Sequence, residues 1–167
     1  MQHTENGGAP LPREALDGQT IPGRPCPVAA SLALIGEKWS LLALREIFYG
    51  NHRFTDIVRN TGAPRDRMAA RLKALVEAGV LEQRPYADNP PRQGYHLTPA
   101  GRALQPVLRA LVVWGNEWAV DEPRVELRHR DHAYEPVATC GTCDERVEPG
   151  DVRLKVLAPG WEAAGRR

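Results

Sequence analysis

A chain of 167 residues, 42% hydrophobic and 26% charged, has room for one domain of ordinary size with tails and enough apolar side chains to pack a core. The net charge is only +1, but it is unevenly spread: residues 24–119 hold 13 basic and 8 acidic side chains, whereas residues 1–23 (1 and 3) and 120–167 (8 and 10) are net acidic. No run approaches the ~18 apolar residues of a membrane span, no basic-then-apolar leader opens the chain, and three cysteines are too few for a secreted disulfide scaffold. The expected location is therefore the reducing cytoplasm.

Residues 1–23, rich in Gly, Pro and polar side chains, lack periodicity and read as a flexible arm. From Pro27 the pattern is helical, with Val28, Leu32 and Ile35 on one face and Gly36 ending the run. Trp39, Leu42, Ile47 and Phe48 predict a second helix closing near Gly50-Asn51, and Phe54, Ile57 and Val58 a short third one closing at Thr61-Gly62. Ala63-Pro64 restarts the chain into a fourth helix from Arg65 to about Ala78, with Pro64 in its first turn. Two β-type runs follow, Val80 to Tyr86 and Gly94 to Leu97, around the polar turn Ala87 to Gln93. Thr98-Pro99 is an N-cap and first-turn pair opening a long helix, on which Leu104, Leu108, Leu111 and Trp118 form one stripe. Beyond it, Val125 to Arg128 and Val152 to Val156 read as short strands flanking Cys140-Gly-Thr-Cys143. The expected fold class is α+β, mainly α: a winged helix-turn-helix domain over 24–119 and a small β-type extension over 120–167.

The fourth helix carries the chemistry. Met68, Leu72, Leu75 and Val76 make one apolar face, and Arg67, Ala70 and Ala74 point the other way with Arg71 and Lys73 at the flanks. Small alanines between cations let a helix backbone approach the major-groove floor, and arginine matches guanine O6/N7 or two phosphate oxygens. Arg65 stands in the first turn, where recognition helices meet DNA. Arg92 and Gln93 on the hairpin and Arg53 before the third helix are candidate backbone contacts, which set affinity more than specificity. Taken alone, the helix is equally a solvated amphipathic surface; the preceding short helix, glycine turn and following hairpin favour DNA.

Cys26-Pro27, the run Gly36-Glu37-Lys38-Trp39-Ser40-Leu41-Leu42, Leu44-Arg45-Glu46, Arg53-Phe54, Arg71-Leu72, Leu75, Gly79-Val80-Leu81, Pro90-Pro91-Arg92, Tyr95 and Leu97-Thr98-Pro99-Ala100-Gly101-Arg102 resemble, in register, the HxlR-type (MarR-like) winged helix-turn-helix regulators. The resemblance covers about 24–119. It implies a homodimer on a partly palindromic double-stranded DNA operator, acting as a repressor, with the first and last helices of the domain building the dimer interface: Leu32, Leu104, Leu108, Leu111 and Trp118. Ordinary core packing is the competing reading for part of that stripe. Two departures stand out: Ala63-Pro64 replaces the usual small polar cap of the recognition helix, and Met68 replaces a leucine. The resemblance ends near Trp118.

In some members of that family a cysteine at the position of Cys26 senses quinones, aldehydes or oxidants. A thiol at a helix N-terminus has the electrostatics for it, although a small core cysteine reads the same in sequence. Cys140-x-x-Cys143 has half-site spacing for structural zinc, with His129 and His132 as the remaining ligands; a disulfide or a metal-free turn remains open.

No Ser/His/Asp arrangement, phosphate-binding glycine loop or HExxH is present, and no βαβ pattern surrounds the CxxC as in dithiol oxidoreductases. The chain reads as a regulator rather than an enzyme. The competing readings are a winged-helix protein-interaction module without DNA and a CxxC redox protein.

Overall fold

The computed structural model describes residues 26–88 and 91–157. The expected N-terminal arm and the hairpin-tip residues Asn89 and Pro90 lie outside the described residues. The chain divides into two compact units between Leu108 and Arg109.

In the first unit, α1 (Pro27–Ile35), α2 (Lys38–Phe48), α3 (Phe54–Thr61) and α4 (Arg65–Glu77) form the helical layer. Their boundaries follow local chemistry. Pro27 opens α1, where its missing N–H costs nothing, and the Glu37 carboxylate caps α2 by accepting from the Trp39 N–H at 2.9 Å. Gly62 ends α3 in the left-handed region at φ 69°, which a residue with a Cβ adopts only with strain, and so swings the chain directly into α4. Leu44, Ile57, Met68, Leu72, Leu75 and Leu81 are almost wholly buried, one or more from each of α2, α3, α4 and the first strand. The methionine at 68 thus fills the same core position that a leucine would.

The hairpin pairs β1 (Leu81–Asp88) with β2 (Pro91–Leu97) antiparallel, from Leu81 opposite Leu97 to Asp88 opposite Pro91. The ladder therefore runs further toward the tip than sequence periodicity indicates: Ala87, Asp88, Pro91, Arg92 and Gln93, read as turn, are strand residues. A register shift between Pro85 and Ala87 leaves Tyr86 as the extra residue of a bulge, a position where a proline on the strand is tolerated. The hairpin is tied to the helical layer in its root half. At its root the Thr98 hydroxyl reaches the Gly79 carbonyl at 2.6 Å, and further out the Tyr95 N–H donates to the His52 carbonyl at 2.9 Å.

Thr98 caps α5 (Pro99–Arg102) through the Gly101 N–H at 3.1 Å, as expected. The single long helix expected after it is instead two, because Pro106 has no N–H to give the Arg102 carbonyl and falls in the first turn of α6 (Gln105–Trp118). Leu104 and Leu108 pack against the core of the first unit.

The second unit begins within α6, earlier than the 119/120 boundary drawn from sequence. The reason is local: Asn116 Nδ2 donates to the Val125 carbonyl at 2.7 Å, and the Arg109 guanidinium lies 5.7 Å from the Tyr134 ring, so the outer half of α6 belongs with the extension. There β3 (Arg128–His129) and β4 (His132–Ala133) form a minimal hairpin. Neither Val125–Leu127 nor Val152–Val156 is a strand, contrary to the sequence pattern. Val152 and Leu154 are more than three-quarters exposed, so alternation there has no core face to satisfy.

Candidate nucleic-acid interface

The α3–turn–α4 element and the β1–β2 hairpin position the candidate contacts. On α4, Met68, Leu72 and Leu75 are buried, which fixes the helix rotation and leaves Arg65, Arg67, Ala69, Ala70 and Lys73 exposed. Arg71 and Ala74 are half-buried at the margin. Arg67 and Arg71 make no ion pair among the described residues, whereas Lys73 meets Glu77 at 3.6 Å one turn on. Both partners of that pair are exposed, so its worth is a few tenths of a kcal/mol and a phosphate competes with it readily. Pro64 sits at the N-cap rather than inside the first turn, and no side chain caps the helix start. The first-turn amides are therefore uncapped by any side chain, and the exposed Arg65 and Asp66 both stand in that turn.

Two other cations are held by aromatic rings. The Arg65 guanidinium lies 5.0 Å from the Phe54 ring centroid, and that of Arg53 lies 4.9 Å from Tyr86, the bulged residue of β1. Both arrangements hold a guanidinium at low entropy while leaving N–H groups outward. The Phe54–Arg65 and Tyr86–Arg53 pairings are tertiary and leave no signal in the sequence. Arg92 and Gln93 are exposed on β2.

Beneath this surface lies a buried carboxylate that sequence reading also missed. Glu46, 4% exposed, accepts from Arg45 Nη2 at 2.7 Å, from Asn51 Nδ2 at 2.8 Å and from Asn60 Nδ2 at 2.9 Å. It joins the end of α2, the following loop and the end of α3. Burial pushes its pKa up, but the hydrogen bonds from Asn60, Arg45 and Asn51 and the Arg45 charge outweigh this and hold it below the usual 4.5. At the wing, His52 and His96 stack with centroids 4.2 Å apart, and His52 Nδ1 lies 2.9 Å from the Tyr95 carbonyl. Burial, then the neighbouring His52 and Arg84, push His96 down from 6.5 against the pull of Glu82.

The stripe on α6 differs from the one expected. Leu104 and Leu108 face this chain's own core, whereas Val107, Leu111, Trp114 and Trp118, spaced four, three and four apart, are exposed on one side of a helix with no buried residue. Val107 and Trp114 were not singled out from sequence, and Leu32 on α1 is also exposed, as is Val28.

Cys26 sits at the N-cap of α1, half-buried, with its thiol free. The four expected zinc ligands are not brought together. The register of β3 and β4 sets His129 opposite His132, with rings 5.2 Å apart edge to face, and Cys140 and Cys143 lie in a separate turn. Among the described residues no three His, Cys, Asp or Glu side chains gather to hold a metal ion. Hydrogen bonding from the Thr142 and Cys143 backbone lowers the Cys140 pKa to about 7, and the Cys143 thiol donates to Glu145 Oε2 at 3.8 Å.

Among the described residues no single helix is long and apolar enough to cross a membrane.

Comparison with known proteins agrees with this geometry. The model of the HxlR-like helix-turn-helix family matches residues 34–123. An uncharacterised HTH-type transcriptional regulator of Mycobacterium tuberculosis is 39% identical over 141 residues, covering 81% of this chain and 88% of the relative. The crystal structure of PA1607, described as a candidate transcription factor, superposes with a TM-score of 0.70 at 36% identity, covering 78% of this chain and 94% of that one. A further candidate transcription factor, from Pseudomonas aeruginosa, superposes with a TM-score of 0.57 at 32% identity, covering 82% and 95%. The relatives are regulators and not enzymes. With α3, the glycine turn, α4 and the hairpin in the order of a winged helix, this chain belongs to the HxlR-like helix-turn-helix family and is a DNA-binding transcriptional regulator.

Proposed function

We propose that the protein binds a partly palindromic operator as a homodimer and represses transcription from it. In this reading α4 enters the major groove with Arg67 on base edges, and Arg71 and Lys73 lie along its margins. Arg53, Arg65, Arg92 and Gln93 contact the flanking phosphates, and Ala70 allows the close approach. The observation that carries it is the outward face of α4: Arg67, exposed and free of any ion pair among the described residues, between a buried apolar face and small alanines. An arginine so placed is available for a bidentate contact without first breaking an internal bond.

The dimer is supported by the exposed stripe Val107–Leu111–Trp114–Trp118 on α6, aided by Leu32 and Val28 of α1. Two tryptophans and two aliphatics in one line form an apolar surface that a chain of this size covers with a partner. A two-fold dimer sets two α4 helices a fixed distance apart, so half-sites one helical turn apart, about 34–36 Å, are expected. The site of action is the cytoplasmic nucleoid. An electrophile reacting at Cys26, the first residue ahead of α1, would shift the helix that aids the dimer and so release the operator.

Selection of bound duplexes from a random pool tests this reading. The expected result is a motif of two inverted half-sites. Recovery of no common motif, or of a single asymmetric half-site, would contradict it.

A further inference from the structure

We propose that Tyr86 is a positioning residue for DNA binding: its ring holds the Arg53 guanidinium ready for a backbone phosphate. This rests on the operator reading, in which Arg53 is a phosphate contact, and adds to it a residue that acts through Arg53 without touching DNA itself.

The hairpin register passes from Pro85 opposite Gln93 to Ala87 opposite Arg92, so Tyr86 has no cross-strand partner. A bulge of this kind bends and twists its strand and re-aims the extra side chain. Pro85, just before it, has no N–H to leave unpaired at the irregular point. The Tyr86 ring is 41% exposed, so it fills no core position, and its centroid lies 4.9 Å from the Arg53 guanidinium.

Arg53 comes from the loop between α2 and α3, and the residues on either side of it are fixed. Before it, the His52 carbonyl accepts from the Tyr95 N–H at 2.9 Å, His52 Nδ1 lies 2.9 Å from the Tyr95 carbonyl, and the His52 ring stacks on His96. Gly94 permits this approach, since a Cβ there would meet the His52 carbonyl oxygen at 3.4 Å. After it, the Phe54 ring lies 5.0 Å from the Arg65 guanidinium in the first turn of α4. The Arg53 backbone is thus held between the wing and the recognition helix, and the freedom that remains is that of its side chain.

That side chain has no other task in the fold. Arg53 is the N-cap of α3 but makes no side-chain cap bond, and the acidic residue in the first turn, Asp56, pairs with Arg59 at 3.0 Å. A carboxylate beside Arg53 would fix it equally well, but would occupy the N–H groups that a phosphate needs. An aromatic face restricts the guanidinium and leaves those donors unused. Because phosphate contacts orient a protein on the duplex without reading its sequence, the Arg53–Tyr86 pair should act alike on specific and non-specific DNA.

The test is binding of the full chain to the selected operator and to a scrambled duplex of equal length, by fluorescence anisotropy across about 50–200 mM salt. It compares wild type, Arg53→Ala, Tyr86→Leu, the double variant and Tyr86→Phe. Arg53→Ala should weaken both complexes and make the salt slope shallower by about one. Tyr86→Leu should weaken both by about 2–5-fold, the range of an exposed cation–π contact, at unchanged Tm. Tyr86→Phe should bind as the wild type does, because the ring is kept. In the Arg53→Ala background, Tyr86→Leu should cause no further loss. A Tyr86→Leu loss of equal size with and without Arg53, or one that accompanies a fall in Tm, would make Tyr86 a strand residue only and overturn the proposal. Tyr86→Phe as weak as Tyr86→Leu would overturn it too, by putting the hydroxyl itself on the DNA, as would Arg53→Ala with wild-type affinity and slope. Those results leave the operator reading standing, whereas a wild type that binds neither duplex would overturn both.

Discussion

Replacing Glu46 by glutamine removes a charge from the point where α2, its following loop and α3 meet. The amide keeps one acceptor oxygen but turns an NH2 group toward the donors of Arg45, Asn51 and Asn60, which now point at 4% exposed space without a carboxylate. Breaking a fully buried ion pair costs about 3–5 kcal/mol. The Arg45 side chain is 34% exposed and recovers part of its hydration, which lowers the figure to about 2–4 kcal/mol. For a chain of this length that corresponds to a fall in Tm of about 5–15 °C. The pH dependence is more telling. The carboxyl is held below 4.5 in the fold, so its stabilisation is complete above 4.5 and disappears as pH falls through the depressed folded value. Guanidinium denaturation followed by tryptophan fluorescence should therefore give a gap between wild type and Glu46→Gln that is full at about pH 7 and constant down to about 4.5, then shrinks with further acidification. A gap of less than about 0.5 kcal/mol at neutral pH, or one that widens on acidification, would refute the reasoning.

Three further outcomes follow from the packing. A Cβ at Gly101 would lie 2.2 Å from the Val80 carbonyl oxygen, so Gly101→Ala should destabilise by about 1–3 kcal/mol in the same assay despite alanine's higher helix propensity. Trp114 is 59% exposed, so Trp114→Glu should leave the circular dichroism unchanged while sedimentation shows the dimer reduced to monomers; a wild-type monomer at micromolar concentration would remove the two-fold model. If Cys26 is the switch, a quinone should release operator from the wild type and not from Cys26→Ser; equal release from both would clear Cys26.

Much of this was legible in the sequence because the first unit obeys local rules. Gly36, Gly62 and Thr98 fall where the elements end or begin, and the buried positions of α4 repeat at helical spacing, so its outward face could be read with no structure. The hairpin was found but its tip was misjudged: a run of turn-forming residues does not show how far the ladder pairs, and Arg92 and Gln93 became strand residues. The long last helix was misjudged at Pro106, whose effect depends on which turn of a helix it falls in. Leu104 and Leu108 share periodicity with Leu111 and Trp118, and periodicity alone cannot say whether an apolar stripe meets its own core or a partner. The Glu46 cluster was invisible because its donors come from 5 and 14 residues along the chain and the cluster exists only once the helices pack. The same holds for Arg65 on Phe54 and for Arg53 on a tyrosine placed by a bulge. In the extension the hydrophobic alternation of Val152 to Val156 suggested a strand, but with no core to face, the segment does not pair.

In the proposed function the outward face of α4 reads base edges through Arg67. Equilibrium binding of wild type and Arg67→Ala to the selected operator and to a scrambled duplex of equal length, across about 50–200 mM salt, tests it most directly. The substitution should weaken operator binding by about 1–3 kcal/mol, roughly 5–150-fold, while binding to the scrambled duplex changes far less. Unchanged operator affinity, or an equal loss on both duplexes with a shallower salt slope, would contradict it. The latter would make Arg67 a phosphate contact and put the reading face elsewhere.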